Sequence, residues 1–314
     1  MKIMVTGGAG FIGSHVTDLL IEVGHQVVVV DNLSTGRRSN LNPQAAFYEV
    51  DIRSSEMERV FAQEKPEVIC HHAAQMDVRR SMDDPLFDAD VNIIGSIKLA
   101  QLAIRYGTRK FIHISSGGAA YGEPEYLPCD EAHPIKPLCH YGASKYTFEL
   151  YLHVFNANYN IDYSVIRYPN VYGPRQDPHG EAGVVAIFTG RMLRGDEVTI
   201  NGTGEQVRDY VFVKDCARSN VMLLEQGSRH VFNLGSGIGT TVNEIFQQLT
   251  YITGYTKPAM YGPAKAGETF KIYLNASRAE RELGWRPSIP LEEGLQRTVD
   301  YFKEFELNRN NDML

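Results

Sequence analysis

The residues best suited to chemistry in this sequence are Tyr141 and Lys145, set four apart in the run Tyr141-Gly142-Ala143-Ser144-Lys145. The segment from Gly142 through Phe155 has helical character, so the two side chains are expected to project from one helix face and lie close together. An ammonium beside a phenol favours the tyrosinate and draws its pKa from near 10 toward neutrality. A phenol tuned in this way serves as both acid and base. Such pairs also occur on solvated helices, so the meaning of this one depends on its company. Part of that company is the run Lys110-Phe111-Ile112-His113-Ile114, a strand that ends in the hydroxyls of Ser115 and Ser116.

The rest stands at the N-terminus, where Ile3-Met4-Val5-Thr6 runs into Gly7-Gly8-Ala9-Gly10-Phe11-Ile12-Gly13. Gly7 permits a sharp strand-to-helix reversal, Gly10 lets phosphates approach the backbone, and Gly13 lets the helix pack on the strand. The unpaired N–H groups of the helix start then face a pyrophosphate. A second strand, Gln26 to Val30, ends at Asp31, where a carboxylate accepts hydrogen bonds from ribose hydroxyls and repels a 2′-phosphate. This pattern points to a dinucleotide, NAD in preference to NADP, with Arg37 and Arg38 the residues able to receive a phosphate instead. Asp51, after the short strand Phe47 to Val50, is placed to meet the adenine. Ala73 and Ala74, after the strand from Val68, leave room for backbone to approach the nicotinamide end.

These positions require a particular scaffold. Strands alternate with helices, among them an amphipathic helix from Val91 to Tyr106 stopped by Gly107. The alternation implies an α/β fold, a Rossmann-type doubly wound parallel sheet whose ligands bind at the carboxyl ends of its strands. Ser116 then sits where chemistry takes place. A chain of 314 residues, 43% hydrophobic, suffices for one large core and a smaller lobe. Residues 1–168 are expected to form the NAD-binding domain and 169–314 mainly a C-terminal substrate-binding lobe, with some segments returning to the first. In that lobe Val198 to Ile200 and Val211 to Val213 are expected as strands around the turn Asn201-Gly202-Thr203-Gly204.

A net charge of −7 argues against nucleic acid or a membrane surface as partner and favours a small molecule. No apolar run approaches the roughly 18 residues of a membrane span, and strand residues already at Ile3 leave no room for a signal peptide, so a cytoplasmic protein is expected. Cys70, Cys129, Cys139 and Cys216 lack Cys-x-x-Cys spacing and read as reduced packing residues. His71 and His72 point to opposite faces of a strand, so they share no metal and none is expected.

Taken together, Thr6 to Gly13, Ser115-Ser116, Tyr141-x-x-x-Lys145, Arg167 to Pro174 and Val207 to Tyr210 resemble the extended short-chain dehydrogenase/reductase family. Within it the chain is similar to UDP-galactose 4-epimerases of the bacterial and archaeal type, from Met1 to about Phe302. The resemblance implies NAD as a tightly held cofactor, bound by Gly7, Gly10, Phe11, Ile12, Asp31, Asn32, Asp51, Ile52, Ala73, Ala74, Asn92, Ser115, Tyr141, Lys145 and Tyr168. It implies Tyr141, Lys145 and Ser116 as catalytic residues, acting through a 4-keto sugar. The nucleotide sugar would meet Ser116, Tyr141, Asn170, Gly183, Val184, Arg208, Tyr210 and Glu268, with Lys265 at a position that many members fill with arginine. Ile272 would limit the breadth of the sugar pocket, and the protein would be a homodimer whose interface is formed by the helix from Val91 and the helix after Tyr141.

One departure matters. Many epimerases carry a hydroxyl residue four places before the Tyr-Gly that here is Tyr121-Gly122, and this chain has Gly117 there. The hydroxyl is then expected from Ser116, with Ser115 on the cofactor side. Nucleotide-sugar 4,6-dehydratases and UDP-glucuronate decarboxylases begin with the same oxidation but carry acids in this segment, where Gly117, Gly118 and Ala119 stand. UDP-glucuronate 4-epimerase needs no extra acid and stays open as an alternative. A catalytically inactive NAD-binding scaffold is the alternative outside enzymes, opposed by the intact Tyr141 and Lys145.

Overall fold

The structure is a computed structural model that describes residues 1–179, 183–264 and 269–311. Strand alternation decides its architecture. In β1 (Lys2–Thr6), Ile3 and Val5 enter one apolar cluster and Met4 the other, and all three are fully buried. In β2 (Gln26–Asp31), Val27 and Val29 follow Ile3 while Val30 follows Met4. A strand with two apolar faces needs cover on both sides. On the first face α1 (Phe11–Glu22) contributes Val16 and Leu20, and on the second α2 (Glu56–Glu64) contributes Met57, Val60 and Phe61.

The remaining elements of the first lobe are β3 (Ala46–Glu49), β4 (Val68–His71), α3 (Val78–Asp83), α4 (Pro85–Ala89), a π-helical turn Asp90–Gly95, α5 (Ser96–Arg105), β5 (Lys110–Ser116), α6 (Gly117–Ala120), α7 (His140–Tyr159) and β6 (Asp162–Tyr168). The helix expected from Val91 thus has its start earlier. Asp84 accepts from the Phe87 N–H at 3.0 Å and Pro85 occupies the first turn, which together begin a helical stretch that the π turn interrupts.

Beyond β6 come β7 (Asn170–Tyr172), α8 (Val184–Arg194), β8 (Thr199–Asn201), β9 (Val207–Arg208), β10 (Tyr210–Phe212), α9 (Val213–Met222), β11 (His230–Asn233), β12 (Thr240–Thr241), α10 (Val242–Thr253), β13 (Met260–Gly262), α11 (Ser277–Leu283) and α12 (Leu291–Asn311). A seven-stranded sheet runs in the order β11-β6-β5-β4-β1-β2-β3, parallel throughout. Strand order reverses between β1 and β4, which leaves a crevice at their carboxyl ends. The chain returns to this sheet late: β11 pairs with β6, and Cys216 and Ala217 of α9 and Trp285 pack into the Ile3 cluster. Among the described residues three two-stranded ribbons form, β7 with β10, β9 with β12 and β8 with β13, and β7, β8 and β10 share a separate core with α8, α10 and α12.

Helix α7 extends past both ends of the expected segment. The Cys139 sulfur accepts from the Gly142 N–H at 3.4 Å, and Asn160 closes the other end in the left-handed conformation. Its first turn lies directly on α6. A Cβ on Gly142 would stand 2.3 Å from the Ala119 carbonyl oxygen, so only glycine allows this approach. Gly142→Ala is therefore expected to destabilise the fold by about 1–3 kcal/mol, as for an overpacked core, read as a lower urea midpoint with unchanged m-value; an unchanged midpoint would show that α7 has slack against α6.

Candidate active site

Tyr141 occupies the first turn of α7, Ser116 closes β5, and the Ser116 hydroxyl hydrogen-bonds to the phenol. Lys145 is buried one turn along the helix. The electrostatics differ from the sequence expectation. The enclosing protein pushes the Tyr141 phenol up to about 12, with Cys139 acting in the same sense and the Ser116 hydrogen bond opposing it. Lys145 falls to about 8 because burial outweighs the pull of Asp88 and Glu149. Desolvation penalises the charged form of each group and is the largest cause of both shifts.

Glu149 continues the same face of α7 one further turn. Its carboxylate, 6% exposed, accepts from Ser115 Oγ at 2.5 Å and from Arg167 Nε and Nη2 at 3.0 and 2.6 Å. Arg167 Nη1 donates to the Tyr121 hydroxyl, which donates to Asn233 Oδ1, each at 2.8 Å. Ser115, expected on the cofactor side, thus gives its proton to Glu149 while Ser116 on the opposite pleat meets Tyr141. The period that relates Tyr141 to Lys145 also reaches Glu149, so that residue was accessible to sequence reasoning. Arg167, distant in sequence, carried no such signal.

The glycine-rich turn fits a dinucleotide. Gly7 has φ +70°, and a Cβ there would stand 2.6 Å from the Ala73 nitrogen; at Gly13 it would stand 2.3 Å from the Gly7 oxygen. No side chain caps α1 at Gly10, so the N–H groups at Phe11 and Ile12 open the helix toward the crevice. Asp31, buried at the end of β2, is oriented by the Ala9 and Leu33 N–H groups at 3.0 and 2.8 Å, and burial raises its pKa. Arg37 is paired with Asp177 at 2.9 Å and Arg38 with Glu49, so neither is a ready receptor for a 2′-phosphate. These residues suit NAD.

Several expected cofactor contacts have other work. Asp51 is held well below the usual carboxylate range by the Arg53 guanidinium, at 2.8–2.9 Å, and also accepts from Asn32 at 2.8 Å. Ile52 is buried, Ala73 and Ala74 are half-buried, and the Tyr168 hydroxyl donates to the Cys216 carbonyl at 2.9 Å. Asn92 is 2% exposed: its Oδ1 accepts from the Gln75 N–H, and its Nδ2 reaches the Gln75 carbonyl, Asp88 and Ser144 within 3.1 Å. It positions loop and helix around the site. His71 is hydrogen-bonded to Thr6 and Ser96, and His72 to Asn220. Among the described residues no cluster could hold a metal ion, the four cysteines are free and buried, and no helix is long and apolar enough to cross a membrane.

On the substrate side, Gly118 keeps a space open. A Cβ there would lie 3.7 Å from Asn170 Oδ1 and 4.0 Å from Ser116 Oγ, so these two polar groups border one opening. Gly183 begins α8 with Val184 half-buried behind it. Arg208 donates to the Val207 and Phe270 carbonyls at 3.0 and 3.2 Å, whereas Asp209 is engaged by the Ser236, Gly237 and Leu274 N–H groups. Tyr210 is buried against Tyr172. Glu268 and Lys265 lie outside the described residues. Ile272, expected to limit the sugar pocket, is only 2% exposed and packs in a cluster with Tyr121, Cys129 and Leu274.

Comparison with known proteins agrees with this geometry. The family model for the NAD-dependent epimerase/dehydratase family matches residues 3–235. The chain belongs to this family. It is 46% identical over 301 residues to a putative UDP-glucose 4-epimerase of Methanocaldococcus jannaschii, covering 96% of this chain and 98% of that one. A crystal structure of UDP-glucose 4-epimerase with UDP-glucose, from Thermotoga maritima, is similar at TM-score 0.96 and 53% identity, covering 98% of this chain and all of that one. The UDP-glucose 4-epimerase of Thermus thermophilus, in complex with NAD, is similar at TM-score 0.92 and 41% identity over 96% and 99% of the chains.

Leu274 occupies the space beside Gly117 where the missing hydroxyl would stand. A Cβ on Gly117 would stand 2.4 Å from Leu274 Cδ1, so the place of a serine side chain is already filled. Gly117→Ser is expected to cost about 1–3 kcal/mol of stability, and Leu274→Ala, destabilising alone, is expected to be milder in that background. Thermal unfolding of the two single variants and the double checks this; simple additivity would mean that Leu274 does not occupy the space.

Proposed function

We propose that this chain interconverts UDP-galactose and UDP-glucose through oxidation and re-reduction at C4 of the hexose. The observation that carries the reading is the Tyr141–Ser116 contact at the carboxyl end of β5, followed by Gly117, Gly118 and Ala119 in α6. Elimination of water from the sugar needs an acid and a base beside C5 and C6, and none of these three residues exchanges a proton. The names of the similar proteins support the same substrate class.

NAD, when bound, supplies a hydride acceptor and donor for C4. Tyr141 moves the proton at the 4-oxygen, and Ser116 hydrogen-bonds that oxygen and orients it. The phenol, held protonated by its surroundings, needs positive charge beside it to act as a base, and Lys145 on the same helix face supplies one. Asn170, Arg208 and the backbone at the start of α8 are the diphosphate contacts; a guanidinium fork and an open helix start both suit that anion. Anchoring through uridine and diphosphate leaves the oxidised hexose free to turn and present its other face.

Incubation with UDP-galactose is expected to yield UDP-glucose. Tyr141→Phe is expected to lower kcat by about 10²–10⁴ with nucleotide-sugar binding largely kept, and Ser116→Ala by about 10–1,000-fold. Full turnover in the Phe variant would assign the proton transfer to another group.

A homodimer belongs to the same reading. Leu86 on α4, Ile94 in the π turn and Leu150, Tyr151 and Val154 on α7 are exposed apolar side chains on helices that pack together. Such a patch marks an interaction surface. Sedimentation at micromolar concentration is expected to give twice the chain mass, and Val154→Asp to reduce it; a monomeric parent chain refutes the dimer.

A further inference from the structure

A segment of the second lobe reaches the rim of the dinucleotide turn. Gly36 stands against the Asp31 carboxylate: a Cβ there would lie 2.8 Å from Asp31 Oδ1 and 3.0 Å from the Ala9 Cβ. The next residue, Arg37, donates its N–H to the Ala9 carbonyl at 3.0 Å, and the Ala9 N–H is itself bonded to Asp31. The Arg37 backbone is thereby fixed on the glycine turn, beside the carboxylate suited to the ribose hydroxyls. A guanidinium rooted there, left to itself, suits the 2′-phosphate that distinguishes NADP from NAD.

Asp177 engages that guanidinium. Arg37 Nη2 meets Asp177 Oδ1 at 2.9 Å, and the same oxygen accepts the His179 N–H at 3.0 Å, so the carboxylate is held independently of the arginine. Its segment, which follows β7, is fastened to α1. His15 donates from Nε2 to the Pro174 carbonyl at 2.9 Å, and Arg175 Nη1 meets Asp18 Oδ2 at 2.7 Å. Gln176 Nε2 reaches back to the Val171 carbonyl at 3.2 Å. Nearby, Arg38 is paired with Glu49. Of Arg37, Arg38 and Arg175, Arg37 is the one whose N–H is bonded to the glycine turn.

We infer that Asp177, a residue of the second lobe, is a selectivity determinant of the cofactor site: it holds the Arg37 guanidinium as its own partner and so withholds it from a 2′-phosphate. The ion pair is part-exposed and adds little to stability. Its effect lies in where the guanidinium points and in the negative charge set beside it, to which Asp31 adds its own repulsion. The inference concerns the dinucleotide alone, so absence of UDP-galactose turnover in the parent chain would undo the functional reading and leave it standing.

To test it, the protein is equilibrated with NAD and a large excess of NADP, freed of unbound nucleotide and denatured, and the released dinucleotides are separated by chromatography. The parent chain is expected to hold chiefly NAD. Asp177→Ala is expected to raise the bound NADP-to-NAD ratio about three- to tenfold, because the phosphate then replaces an exposed carboxylate as the partner of Arg37. In Arg37→Ala/Asp177→Ala the ratio is expected to match that of Arg37→Ala alone. An unchanged ratio in Asp177→Ala, undetectable NADP included, overturns the inference. So does an equal rise on adding Asp177→Ala to Arg37→Ala, which would mean that Asp177 acts as a general negative charge and not through Arg37. If Asp177→Ala does not fold, Asp177→Asn, which keeps an acceptor for the His179 N–H, decides by the same ratio.

Discussion

The site depends on how closely α7 lies against the end of β5 and the turn of α6 that follows it. Gly142 meets the Ala119 carbonyl with no space for a methyl group, and Gly117 leaves its own side-chain space to Leu274. That backbone-to-backbone approach brings the Tyr141 phenol to the Ser116 hydroxyl and sinks Lys145 and Glu149 into the protein. Interiors packed to crystal density do not give by half an ångström without cost, so the small residues of this corner act as positioning elements.

The same burial sets the electrostatics. A phenol and an ammonium in one low-dielectric pocket both resist charge, and the structure answers with fixed partners rather than with water. Arg167 meets Glu149 and ties β6 to α7, while Glu149 also holds Ser115. A directed chain fixes His71: Ser96 gives its proton to the Asn92 carbonyl at 2.7 Å, so His71 Nε2 donates to Ser96 Oγ and Nδ1 accepts from Thr6. The imidazole is locked neutral between β1, β4 and α5, and adds no positive charge next to Lys145.

Much of the fold was legible because its determinants are local. Valine-rich strands with two apolar faces, the glycine turn after Thr6 and the acid at Asp31 each carry their meaning in a few adjacent residues. Helix α7 and its Tyr141–Lys145 face were legible for the same reason, although its start was not, because the cap is a cysteine sulfur. What escaped were quantities set by three-dimensional enclosure. The rise of the Tyr141 pKa depends on how much protein surrounds the phenol, which spacing along a helix does not encode. The Glu149–Arg167 pair, the occupation of Gly117's space by Leu274 and the closure of Ile272 into an apolar cluster all join segments far apart in sequence.

The central claim is that hydrogen leaves C4 of the hexose and returns to the same carbon inside a closed site. UDP-galactose carrying deuterium at C4 tests it most directly. The account requires that the UDP-glucose formed in ordinary water keep the deuterium at C4, because Tyr141 and Ser116 exchange only the oxygen-bound proton with solvent. Product with protium at C4, formed at the rate of turnover, would contradict it and place the stereochemical change in a proton exchange at carbon.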